Sequence, residues 1–413
     1  MIAVLGLGFV GLTTALGFAS KGLRVRGYDT SAQRLAGLRS GHIPFAEPGL
    51  AEALRSARSF TLEDSAEQAL VDAEVVFLCV GTPMSGDGRA DLSAVLTAVA
   101  AVLAAPDSAI RRRTIVVKST VPPGTCRDQI AQFIRSRGFA VGSQIGLAVN
   151  PEFLREGKAW QDFMNPDRIV VGADDRQSAS TVAALYRSFD APVHEVSLTS
   201  AEFIKYLSNT LLATLISFSN EMALAARRIG DVDIPAAFRI AHADRRWSGT
   251  PAPMTSYCYP GCGFGGYCLP KDTLAMQRRG VEAGAEMELL DAVLRVNERV
   301  RQELLDGFCQ EQPPPARVAV LGLAFKPGSD DVRDTPSAFF VQRLLERRYS
   351  VVAYDPVAMK AFDEVWGMPV EYAASLEEAL AGADAALVVT AWEHFRGLRG
   401  RTKPRIHDWR YLL

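Results

Sequence analysis

The chain has 413 residues, 48% of them hydrophobic and 22% charged, with a formal net charge of −2. That length allows two or three domains around large cores. The near-neutral balance gives no electrostatic case for nucleic acid or a membrane surface. The six cysteines fall in a long chain without a basic, signal-like leader. That is the pattern of reduced thiols, and the expectation is a soluble, cytoplasmic protein.

Ile2 to Ala19 is almost wholly apolar, but glycines interrupt it and no basic segment precedes it. A strand, a turn and a helix explain it better than a membrane span. Met1 to Leu5 reads as a strand, followed by Gly6, Leu7, Gly8, Phe9, Val10 and Gly11, then an apolar helix to Ser20. A second strand, Arg24 to Tyr28, ends in Asp29. Strand, GxGxxG, helix, strand and acid form the dinucleotide fingerprint in its required setting. The glycines permit a tight turn and close approach of a pyrophosphate, which the helix N-terminus attracts. Asp29 stands where a carboxylate takes the adenosine ribose, which favours NAD over NADP.

Further strand-and-helix units follow at Ala73 to Val80, Thr114 to Lys118, Ile145 to Val149 and Ile169 to Gly172. An open parallel sheet binds ligands at the carboxyl ends of its strands. Thr82, Thr120, Glu152 and Glu156 lie at those ends, in one expected cleft. From Ser200 to about Ile229 the chain reads as one long, buried helix, with Lys205 and Asn209 one turn apart on a shared face. A buried lysine there needs a partner or a function.

Gly261 to Asp272 reads GCGFGGYCLPKD. Proline suits the first turn of a helix, so Cys268 is expected just before a helix that begins at Thr273. The dipole there, with Lys271 beside it, favours a thiolate. Cys258, Cys262 and Cys268 form no CxxC pair, so no metal is expected. A helix is expected from Thr273 to Arg301 and a linker from Gln310 to Ala316. The start of the chain then repeats: Val318 to Leu323 echoes Ile2 to Leu7, and Val352 to Asp355 echoes Arg26 to Asp29. Ala324 and Phe325 replace the open glycine turn, so this second half is not built for a dinucleotide. Lys326 and Arg333 offer charge to phosphates instead.

The expected fold is α/β: two Rossmann-like doubly wound domains joined by a central helical domain with a long core helix. The expected boundaries are 1–198, 199–300 and 301–413. A cysteine beside a nicotinamide can carry an alcohol through an aldehyde to an acid, by way of a thiohemiacetal and a thioester.

The run GLGFVG, GTP, KSTVPPGT, NPEFLREG, AEFIKYLSN, GFGGYCLPKD and FKPGSDDVRD resembles the UDP-glucose/GDP-mannose dehydrogenase family, in order over nearly the whole chain. The resemblance implies NAD-dependent oxidation of a sugar C6 alcohol to a uronic acid, with a nucleotide-sugar substrate and a homodimer formed through the central helix. It implies Cys268, Lys205, Asn209, Asp272, Thr120 and Glu152 as catalytic residues. It places Gly6, Gly8, Phe9, Val10, Gly11, Asp29, Thr82, Glu156, Lys271 and Arg333 near NAD. Phe153, Leu154, Arg246, Tyr257, Gly265 and Lys326 fall near the sugar nucleotide. UDP-glucose leads as substrate, ahead of GDP-mannose or another hexose nucleotide and ahead of a two-electron hydroxyacid reaction.

Overall fold

A computed structural model describes residues 1–105, 112–244, 247, 257, 259–282, 287–401 and 403–413. Its residues fall into two compact units, Met1–Leu207 and Ser208–Leu413. The boundary lies inside one continuous helix, Leu198–Ile229.

The first unit is built on eight strands: β1 (Ile2–Leu5), β2 (Val25–Tyr28), β3 (Phe60–Leu62), β4 (Val75–Leu78), β5 (Arg113–Val117), β6 (Ile145–Val149), β7 (Ile169–Ala173) and β8 (Val193–Val196). Their order is β3-β2-β1-β4-β5-β6-β7-β8. The first six follow the dinucleotide-binding order, with the reversal between β1 and β4. Alternation sends Ile2 and Val4 to one core layer and Ala3 and Leu5 to the other, as expected for a sheet covered on both faces. Strands β3 and β8 carry too short an apolar pattern to stand out in the sequence.

One expected unit runs the other way. Strand β7 pairs with β6 antiparallel, and β8 then pairs parallel with β7. The connection leaves the carboxyl end of β6 and folds back beside it, where the Asn150 amide donates to the Val170 carbonyl at 2.8 Å. An antiparallel neighbour needs no crossover to the opposite end of the sheet.

The second unit holds β9 (Arg317–Leu321), β10 (Ser350–Tyr354), β11 (Glu371–Tyr372), β12 (Ala385–Val388) and β13 (Arg405–Asp408). All pairings are parallel, in the order β11-β10-β9-β12-β13. This matches the order of β3-β2-β1-β4-β5. Its helices include Cys268–Glu282 and Glu288–Glu311. The first starts at Cys268 rather than Thr273, because Pro270 is tolerated in a first turn whose N–H groups have no intrahelical acceptor. The second runs on to Glu311, which shortens the expected linker. Among the described residues no helix is long and apolar enough to cross a membrane.

Candidate active site

In the first unit, β1 ends at Gly6, whose φ of 89° is open to glycine. A Cβ on Gly11 would meet the Gly6 carbonyl oxygen at 1.8 Å, so the helix Phe9–Ser20 packs onto the turn only through glycine. Nothing lies within 4 Å of where a Gly8 Cβ would be. Gly8 is also the N-cap of that helix, and no side chain caps it. Its first N–H groups therefore have no capping side chain, beside the half-buried Phe9 and Val10, which fits a pyrophosphate.

Asp29 at the end of β2 is buried. It accepts from the Leu7 N–H at 2.7 Å, the Ser31 N–H at 2.8 Å and the Arg34 guanidinium at 2.8 Å. The carboxylate thus braces the turn. Arg34 is a partner that sequence reading missed, since nothing in the pattern marks which helical cation folds back.

The carboxyl ends of β4, β5 and β6 converge as expected. Thr82 donates to the Thr120 carbonyl at 2.8 Å. Glu152 accepts from the Leu154 N–H at 2.6 Å and pairs with Lys205 at 2.8 Å. Both partners of that pair are nearly buried, 7% and 6% exposed. Burial opposes the Glu152 charge, but Lys205, the Leu154 N–H and Lys118 together outweigh it and hold the carboxyl below its ordinary range. Lys205 also lies 5.7 Å from the Phe153 ring centroid, and Arg168 stacks on the same ring at 4.2 Å. Leu154 and Glu156 are half-buried.

This loop is pinned from both sides. Arg155 forks onto Asp162. Glu47 accepts from the Gly157 and Trp160 N–H groups at 3.0 and 3.1 Å.

Two more buried groups escaped the sequence reading. Lys118, at the end of β5, donates to Asn150 Oδ1 at 3.0 Å. Glu202, on the long helix, accepts from the Gly124 and Cys126 N–H groups at 2.6 and 2.7 Å. The available signal was a charged residue closing an apolar strand and an acid within an apolar helix.

In the second unit, Asp272 is fully buried. One oxygen accepts from Lys271 at 2.6 Å, and the other accepts from the Asn209 amide. Burial works against the Lys271 charge, yet Asp272 raises its pKa overall. Cys268 opens the helix that carries both, and it is half-buried. Arg333 is exposed, pairs with Asp331 and stacks on Tyr267 at 4.2 Å. Lys326 lies 5.3 Å from the Phe325 ring centroid. Tyr257 sits half-buried in a turn, and Arg246 lies outside the described residues.

The glycine loop before Cys268 is fitted to the protein itself. A Cβ on Gly261 would meet Arg410, one on Gly265 the Asp334 carbonyl, and one on Gly266 the Phe325 ring. Asn297 clamps Phe264 through both its N–H and its carbonyl, at 2.7 and 3.0 Å. The Cys262 thiol rests against the Val389 and Trp409 carbonyls.

Three consecutive matches now cover most of the chain. The NAD binding, central and UDP binding domains of the UDP-glucose/GDP-mannose dehydrogenase family match residues 1–190, 199–299 and 319–413. The chain belongs to this family. It is accordingly an NAD-dependent nucleotide-sugar dehydrogenase, and its first unit is the NAD-binding part. A UDP-glucose 6-dehydrogenase of Pseudomonas aeruginosa is 41% identical over 413 residues, covering 96% of this chain and 88% of that protein. The UDP-glucose 6-dehydrogenase YwqF of Bacillus subtilis is 36% identical, covering 95% and 87%. The solved structure of a UDP-glucose dehydrogenase from Pyrobaculum islandicum superposes with a TM-score of 0.93 at 40% identity, covering 100% of this chain and 94% of that one.

Proposed function

We propose that this dehydrogenase oxidises the C6 alcohol of UDP-glucose to the carboxylate of UDP-glucuronate in two successive steps. Bound NAD supplies the hydride acceptor for each oxidation. The open, uncapped helix start at Gly8 would hold its pyrophosphate, and Asp29 stands at the neighbouring strand end for the ribose.

In this reading Thr120 and Glu152 order a water that takes the first proton. Lys205 and Asn209 stabilise the developing C6 oxyanion. Cys268 adds to the aldehyde carbon, and oxidation of the thiohemiacetal leaves a thioester. Glu152 then accepts a proton from the water that cleaves it, with Asp272 holding Lys271 and Asn209 in place. Phe153, Leu154, Gly265 and Lys326 contact the sugar nucleotide.

The observation that carries the reading is a half-buried cysteine opening a helix whose first turn ends in a buried aspartate. A two-electron alcohol dehydrogenase has no use for that cysteine. The two UDP-glucose 6-dehydrogenases compared above favour that sugar over GDP-mannose. The test is a panel of sugar nucleotides with NAD. Two NADH per UDP-glucose is expected, and one NADH per sugar overturns the proposal. Cys268→Ser should make no uronate.

The same reading includes a homodimer. Phe203, Leu207, Leu211 and Phe218 are 42, 52, 48 and 57% exposed along one stripe of the long helix, and a second copy would cover them. Leu211→Glu should yield a monomer by light scattering.

A further inference from the structure

We infer that Lys118 is a positioning residue for the hydrolytic step: it ties the Thr120 loop to the Glu152 loop and is the second cation facing Glu152. This rests on the reaction proposed above. In that step the water oxygen attacks the thioester carbon, a water proton passes to Glu152, and the C–S bond breaks to release the Cys268 thiolate. No further oxidant or co-reactant is needed.

Lys118 is the last residue before the Ser119-Thr120 turn and is only 4% exposed. Its ammonium donates to Asn150 at both the side-chain oxygen, 3.0 Å, and the backbone carbonyl, 3.4 Å. Asn150 stands two residues before Glu152. The same side-chain oxygen accepts from the Tyr186 hydroxyl at 2.5 Å, and the Asn150 amide is spent on Val170 at 2.8 Å. The asparagine oxygen therefore accepts twice, and its loop is held on three sides.

Among the described residues no carboxylate lies within ion-pair distance of Lys118. A buried ammonium held by neutral oxygens, with the Phe163 ring centroid 5.9 Å away, still costs stability, and a neutral side chain of similar length would avoid that cost. Its charge therefore has a use outside packing.

The groups whose charge it feels explain that use. They are Cys79 after β4, Glu152 after β6 and Lys205 on the long helix; the Tyr186 hydroxyl shares its Asn150 acceptor. Burial keeps Cys79 neutral, its thiol pushed up to about 12, and raises Tyr186 as well. Burial also pushes Lys118 down to about 8. Lys205, in direct contact, and Lys118, through its charge, thus both act on the Glu152 carboxylate. The Lys118 charge favours the ionised Glu152, the form that can accept a proton. The same lysine places the two loops that hold the water.

The experiment compares wild type, Lys118→Met and Lys118→Arg with NAD and UDP-glucose, following kcat against pH and the acyl group on Cys268 by mass spectrometry. In Lys118→Met the acid limb of kcat should move up by about one pH unit. The thioester should accumulate, and turnover should fall about tenfold or more. Lys118→Arg should restore the acid limb. An unmoved limb without acyl-enzyme overturns the inference, as does an arginine variant equal to the methionine one. The Glu152 carboxyl, titrated by 13C NMR against the Glu152→Gln spectrum, reads the link without turnover. An unchanged titration in Lys118→Met overturns this inference, whereas wild type that releases no NADH with any sugar nucleotide overturns the proposed reaction instead.

Discussion

The two Rossmann-like sheets share a strand order and diverge at the first turn. Both turns begin with a glycine of positive φ, Gly6 at 89° and Gly322 at 95°. Both are braced by the aspartate that ends the second strand: Asp29 takes the Leu7 N–H, and Asp355 takes those of Leu323 and Ala324. In the first sheet a helix starts at Phe9 with no side-chain cap. In the second the helix starts only at Pro336, and Thr335 caps it by accepting from the Ser337 N–H. The intervening chain turns inward, and Phe325 packs against Gly266. One frame keeps its helix start for a ligand. The other has spent the same position on holding the loop before Cys268.

Substitutions can break this contrast. The largest effect is expected at Gly11, where a Cβ would meet backbone at 1.8 Å. Gly11→Ala should cost about 3 kcal/mol or more by denaturant unfolding. Gly8→Ala, with open space at the same distance, should leave stability unchanged and weaken NAD binding about tenfold by calorimetry.

Next come the braces. Asp355 is fully buried and also accepts from the Val357 and Ala358 N–H groups and the Trp392 indole. Asp355→Asn should destabilise the protein by about 3 kcal/mol. Asp29→Asn, with fewer bonds to lose, should cost about half that and should also lower NAD affinity.

A third prediction concerns how the first unit holds the start of the long helix. Burial pushes Glu202 up to about 7. Between the ordinary value and 7 the folded chain binds more protons at this site than the unfolded chain. Its contribution is therefore full at low pH and is lost as pH rises through that window, on the order of 3 kcal/mol. Glu202→Gln should flatten that part of the stability profile. The smallest effect is expected at the second sheet's cap, where Thr335→Ala should cost about 1 kcal/mol.

The elements readable in the sequence were those set by local pattern. The glycine turn, the strand-end aspartates, the repeat and the long helix are each spelled within a few residues. The antiparallel β7 was not, because strand direction depends on where the returning chain docks. The folding of Arg34 onto Asp29, of Glu47 onto the Gly157 loop and of Lys118 onto Asn150 joins residues distant or unmarked in the chain. The glycines before Cys268 were visible as a motif, but their close neighbours, Arg410, Asp334 and Phe325, lie far along the sequence. Residue type announced that something approaches there without naming what.

That loop has a consequence for synthesis. Ribosomes deliver Cys268 before β9 to β13, yet the supports of its loop lie at Phe325, Asp334, Val389, Trp409 and Arg410. Domains fold as they emerge, so the nascent chain carries a cysteine whose glycine-rich approach is still slack. Trp409 and Arg410 come into place only with β13, which directly precedes them. The surroundings of Cys268 are thus completed only after β13 has been made, when the NAD-binding sheet has had time to form.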